Sequence, residues 1–151
     1  MRRLSGVILA AALLMVPGFA QGTAFAQAPQ KTTFTGDSVV LMYAINQGKE
    51  AEYEKVLASL KAALAKSTDP SAKQQAAGWK VFKSEKPLSA DGPTYIHVIS
   101  PVVKDADYSI LNIVYSVSND DEKRAFYDMY RGAVNKALSL IQGSAVADLS
   151  K

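Results

Sequence analysis

Thr94-Tyr95-Ile96-His97-Val98-Ile99 is a strand-length run that is apolar on both of its faces. Side chains alternate across a strand, so Ile96 and Val98 point one way and Tyr95, His97 and Ile99 the other. Val39-Val40-Leu41-Met42-Tyr43-Ala44-Ile45 repeats the pattern, with Val39, Leu41, Tyr43 and Ile45 set against Val40, Met42 and Ala44. Trp79 to Ser84 (WKVFKS) is a third such segment, in which Trp79 and Val81 lie opposite Lys80 and Phe82. An antiparallel sheet covered on one side should alternate apolar with polar residues. These strands largely do not, so both faces of their sheet are expected to be covered.

Outward from the strands the period changes. Tyr53, Val56, Leu57, Leu60, Ala63 and Leu64 fall on one face of a helix. Glu50 and Glu52 near its start and Lys61 and Lys66 near its end match the helix dipole. Residues 67–78 read as a connection, with a helical turn capped by Asp69 and opened by Pro70. Residues 85–93 form a polar turn region with Pro87, Asp91-Gly92 and Pro93, which predicts an antiparallel hairpin of the second and third strands. Residues 105–117 carry strand-type residues (Ile110, Ile113, Val117) and also a helical face of Tyr108, Leu111, Val114 and Tyr115. Helix is the preferred reading, with Asp105 or Asp107 as its cap. Asn119 followed by Glu122 resembles a capping box. The helix it starts is expected to run to about Gln142 and stop at Gly143, with Phe126, Met129, Tyr130, Ala133, Val134, Ala137, Leu138 and Ile141 inside. The predicted order is strand-helix-strand-strand-helix-helix. That is an α+β fold, a small, mostly antiparallel sheet of three to four strands with helices on one face.

The ends have a different character. Arg2 and Arg3, the uncharged apolar run from Val7 to Val16 and the small residues of Ala24-Phe25-Ala26 read as a signal peptide over residues 1–26. A spanning helix needs about 20 apolar residues, twice this run, so no membrane association is expected after its removal. Cleavage after Ala26 leaves 125 of the 151 residues. Residues 27–37 are expected to be a flexible lead-in, residues 38–142 a single α+β domain, and residues 143–151 a C-terminal tail. The destination is periplasmic or secreted. The 17 Lys and Arg exceed the 14 Asp and Glu by three, but Arg2 and Arg3 leave with the signal, and a net charge of +1 without a basic stripe speaks against nucleic acid. The chain has no cysteine and a single histidine, so disulfides and thiolate chemistry are excluded, and no metal or cofactor is expected.

Helices on one face leave the other bare, and residues 38–142 hold too few elements for a second helical layer. A second copy of the sheet is the economical cover, since two-fold homodimers are the commonest oligomers. The element order, compressed into about a hundred residues with both sheet faces apolar, resembles the dimeric α+β barrel group of ferredoxin-like proteins. Antibiotic-biosynthesis and haem-degrading monooxygenases belong to that group. Residues 38–142 also look like an exported bacterial branch of small uncharacterised proteins, through Trp79-Lys80-Val81-Phe82 and Asp107-Tyr108. The resemblance implies a homodimer and, as an alternative function, a cofactor-free oxygenase or isomerase using His97 and a tyrosine. The group has a fourth strand after its second helix, where this sequence reads as helix.

His97, Tyr95, Tyr43 and Trp79 are the candidate ligand-binding residues; no catalytic residue is assigned. The helix stripe of Leu57, Leu60 and Leu64 offers no polar partner, so His97 is expected on the side of the sheet away from the helices. Other patterns have simpler explanations. Asn46, Trp79 and His97 follow the chain order of the polar trio in haem-degrading monooxygenases, but His97 sits in a strand. Gly36-Asp37-Ser38 is explained by a turn into a strand, and Asp120, Asp121 and Glu122 by the helix dipole. The leading functional expectation is an exported, non-enzymatic dimeric module that binds a small apolar ligand at its sheet face. Intact-mass analysis of protein from the native host should show a chain beginning at Gln27; a membrane fraction retaining Met1 would contradict export.

Overall fold

The computed structural model describes residues 30–147 and 149; the expected signal segment lies outside them. The apolar runs form β1 (Ser38–Ile45), β2 (Trp79–Lys83) and β3 (Thr94–Ile99), and a further strand, β4 (Val134–Gly143), joins them. The order is β2-β3-β1-β4, with every neighbouring pair antiparallel. His97 stands between Leu41 of β1 and Val81 of β2, and Leu41 in turn faces Leu140 of β4. Against one face pack α1 (Glu50–Lys66), α2 (Ala72–Gly78), α3 (Ile110–Tyr115) and α4 (Asp120–Ala133). The fold is α+β, with a four-stranded antiparallel sheet and helices on one face, as the sequence predicts.

The long helix follows its stripe: Tyr53, Val56, Leu60, Ala63 and Leu64 of α1 are buried. The capping box of α4 forms in full, with Asn119 accepting from Glu122 N and the Glu122 carboxylate accepting from Asn119 N. The cap of α3 is Ser109, which accepts from Asn112 N, and not Asp105 or Asp107. Asp107 instead accepts the Ser109 N–H, one residue before the helix. In the connection after α1, Asp69 accepts from Ser71 N and Oγ, and the helix begins at Ala72.

The largest departure is at the C-terminus. The helix expected to reach Gln142 ends at Ala133, and residues 134–143 are strand. The spacing of Val134, Ala137, Leu138 and Ile141 fits a helix, but β1 has an unpaired edge beside it. Pairing from Ser38–Gly143 to Ile45–Val134 satisfies that edge along its whole length, with irregularities after Met42 and after Ala44. Tertiary pairing overrides a weak local helical preference, and Gly132 in the last turn weakens it further.

Residues 31–36 are anchored rather than free. Lys31 Nζ donates to the Asp105 carbonyl, Thr32 N to Asp107 Oδ1, and Thr35 N to Gln142 Oε1. Phe34 is 3% exposed and packs on Tyr108 at 5.2 Å between ring centres. It belongs to a second core cluster with Val39, Leu41, Ile99, Val102 and Ala106.

Gly92 carries φ 133°, and a Cβ there would stand 2.1 Å from the Ile45 carbonyl oxygen. Gly48, at φ 77°, has open space around it. Gly92→Ala should therefore destabilise by about 3 kcal/mol or more, and Gly48→Ala by about 1 kcal/mol. Urea denaturation of the two variants reads the difference; equal losses would show that the close approach at Ile45 does not matter.

Candidate functional site

His97 sits at the middle of β3 with no exposed surface. Its ring lies on the helical side of the sheet, under α1, and not on the open side expected from sequence. The polar partner missing from that expectation is Tyr53, in the first turns of α1. Tyr53 Oη is 2.7 Å from His97 Nε2, and the Trp79 indole Nε1–H donates to His97 Nδ1 at 3.0 Å. An indole nitrogen only donates, so Nδ1 must be the accepting nitrogen. In the neutral ring the proton therefore sits on Nε2, and Nε2–H donates to Tyr53.

Tyr43 approaches the His97 ring edge-on at 5.2 Å, and Tyr95 meets Tyr53 at 4.9 Å. The four sequence-predicted residues thus cluster around one imidazole, on the face opposite to the one expected. Tyr95 Oη donates to the Glu54 carboxylate at 2.9 Å, which leads from the cluster to solvent. Burial pushes His97 down to about 4 and pushes Tyr43 up to about 12, with help from neighbouring Tyr130. Tyr53 and Tyr95 are raised too, both chiefly by burial, Tyr95 also by the bond to Glu54. Near neutral pH the cluster is therefore uncharged: a neutral imidazole and protonated phenols. Both ring nitrogens of His97 are engaged, which leaves no free lone pair to act as a base. Tyr53 was legible only as part of the α1 stripe, although a tyrosine among Val56, Leu60 and Leu64 was the available polar signal. Beside the cluster, Leu57, Leu60, Leu64, Ala76, Val81 and the Trp79 ring line a groove of about 340 Å³ with Lys61 at its rim.

Among the described residues no helix packs on the other face of the sheet. Across it run the rows Lys80–Val98–Val40–Ile141 and Phe82–Ile96–Met42–Ser139. Phe82 is 51% and Ile141 55% exposed, and the four residues of the central strands are half-buried. Among the described residues, cover is found at one end. There the β2–β3 loop is tied to the start of β4 by Asn135 Nδ2–H to the Asp91 carbonyl and by the Lys136–Asp91 ion pair at 2.8 Å. Among the described residues no group of three or more His, Asp or Glu side chains is placed to hold a metal. No described helix is long and apolar enough to cross a membrane.

The depressed pKa has a signed consequence. The unfolded chain protonates His97 near 6.5 and the folded protein only near 4. Between those values the unfolded state binds more protons, so stability falls as pH falls, by roughly 3 kcal/mol over the window. As the single histidine, His97 gives one NMR signal, which should not titrate from about pH 8 to about pH 5. Trp79→Phe, which removes the donor to Nδ1, should cost about 1–2 kcal/mol and move the titration upward. A wild-type midpoint at the free-imidazole value would refute the sealed cluster.

Comparison of this chain with protein-family models, with curated proteins and with solved structures finds no match.

Proposed function

We propose that this chain is an exported, non-enzymatic module that acts as a homodimer. Its open sheet faces stack on each other and a small apolar ligand is held between them. The observation that carries the reading is the uncovered apolar face, with Phe82 and Ile141 more than half exposed and Val40, Met42, Ile96 and Val98 between them. Lys80 is the one charged residue in the two central rows. Such a patch is costly in water, and a two-fold axis sets the same patch on both partners.

The dimensions support a second copy. Four strands spaced about 4.8 Å apart and five to ten residues long give a face of about 400–500 Å². Two such faces stacked about 10 Å apart bury about 800–1,000 Å² in total, the lower edge of what specific association needs. The signal-like residues 1–26 support export. The sealed state of His97 supports a binding role over the oxygenase or isomerase alternative, because a base needs an available lone pair.

Sedimentation equilibrium at micromolar concentration should give twice the chain mass. Val98→Lys places a charge in the middle of the face and, counted on both copies, should yield a monomer with unchanged circular dichroism. A wild-type protein that stays monomeric at those concentrations would refute the dimer.

A further inference from the structure

A separate pocket of about 720 Å³ opens between the α1–α2 connection and α3, away from the open sheet face. Its wall contains a buried polar side chain, Gln75 of α2, which is 4% exposed. Gln75 Nε2–H donates to the Asp107 carbonyl at 2.8 Å. A carbonyl oxygen only accepts, so the amide orientation is fixed and Oε1 is the end turned away from Asp107. Oε1 has no partner among the described residues and keeps accessible surface where Gln75 borders the pocket.

The neighbouring wall is held rigid. Asp107 Oδ1 accepts from Thr32 N and Ser109 N, and Oδ2 accepts from the Asn112 amide at 2.7 Å. Asp69 spends Oδ1 on Ser71 N and Oγ, and these bonds hold its carboxyl below the usual range. Its Oδ2 remains available as an acceptor. Ser116 Oγ donates to the Ile113 carbonyl and keeps its lone pairs. Residues that carry donors are present as well: Thr68 and Lys66 border the same space. Leu64, Ile113 and Val117 give it an apolar floor.

We propose that this pocket binds a small neutral polyol of the saccharide class. A hydroxyl both donates and accepts, which suits a wall that holds residues with acceptors (Gln75 Oε1, Asp69 Oδ2) together with residues that carry donors (Thr68, Lys66). The C–H face of a sugar ring suits the apolar floor. An anion would meet two carboxylates. A metal ion would need a convergent ligand group, and no such group exists among the described residues. The size lies within the usual range for small-molecule sites, about 300–1,000 Å³. The proposal does not depend on the dimer.

The test is NMR titration of the purified protein with a panel of common hexoses, N-acetylhexosamines and disaccharides at millimolar concentration. At least one should shift amide signals of residues 66–69, 75 and 112–117. Thr68→Trp fills the mouth from an exposed position without removing a hydrogen bond, and Gln75→Met removes the open acceptor. Each should weaken binding by about tenfold or more, while sedimentation stays as in the wild type. If Gln75→Met does not fold, as read by thermal melting, Thr68→Trp decides alone. No shifts with any sugar, shifts confined to other residues, or binding unaltered by Thr68→Trp would overturn the proposal.

Discussion

The indole N–H of Trp79 can donate a hydrogen bond and do nothing else with it, and in this protein it points at the one histidine. That single bond selects the tautomer of His97, which in turn directs Nε2–H to Tyr53. Three elements are tied together by it: the edge strand β2, the inner strand β3 and the helix α1. β2 is only five residues long and has β3 as its one neighbour in the sheet, so a side-chain anchor matters more for it than for a central strand. Trp79 also packs on Tyr108 at 5.5 Å, and Tyr108 on Phe34. The aromatic series Phe34, Tyr108, Trp79, His97, Tyr53, Tyr95 therefore runs through both core clusters, with its polar atoms paired along the way: Tyr108 Oη accepts from Val103 N, and Tyr95 Oη donates to Glu54. A buried polar network of this kind stabilises a unique packing when complete and destabilises it when one member is lost.

The two faces of the sheet obey different constraints. On the helical face, every large side chain of β3 that points inward meets a specific partner, and Ile99 and His97 have no exposed surface. On the open face, the same strand offers Ile96 and Val98 to the outside. β-branched residues suit both situations, because strand preference is a preference for a pleated, packed surface and not for a particular neighbour.

That ambiguity sets what could be read from sequence. β1, β2 and β3 were legible as short β-branched and aromatic runs bounded by turn residues, α1 because its helical period is clean, and the α4 start because Asn119 and Glu122 form a local unit. The β4 strand was not, since Val134, Ala137, Leu138 and Ile141 satisfy a helical spacing and only the free edge of β1 decides against it. The cluster around His97 was half legible. Its members were recognisable as Tyr43, Trp79, Tyr95 and His97, but their side of the sheet turned on Tyr53, a residue that the helical stripe had already accounted for. Gln75 gave no signal, because its importance comes from burial against Asp107, a residue 32 positions away.

At the junction of α4 and β4 no residue intervenes: Ala133 closes the helix and Val134 opens the strand. The two elements are therefore geared to each other. Adding or deleting one residue at that point would turn the helix by about 100° relative to the strand or exchange the inward and outward residues of β4. Phe126 and Ala133, both buried, would leave the core in the first case; in the second, Ile141 would leave the face it shares with Val40. Length at this junction is thus a more stringent requirement than residue identity, and substitutions along β4 should be far better tolerated there than any change in register.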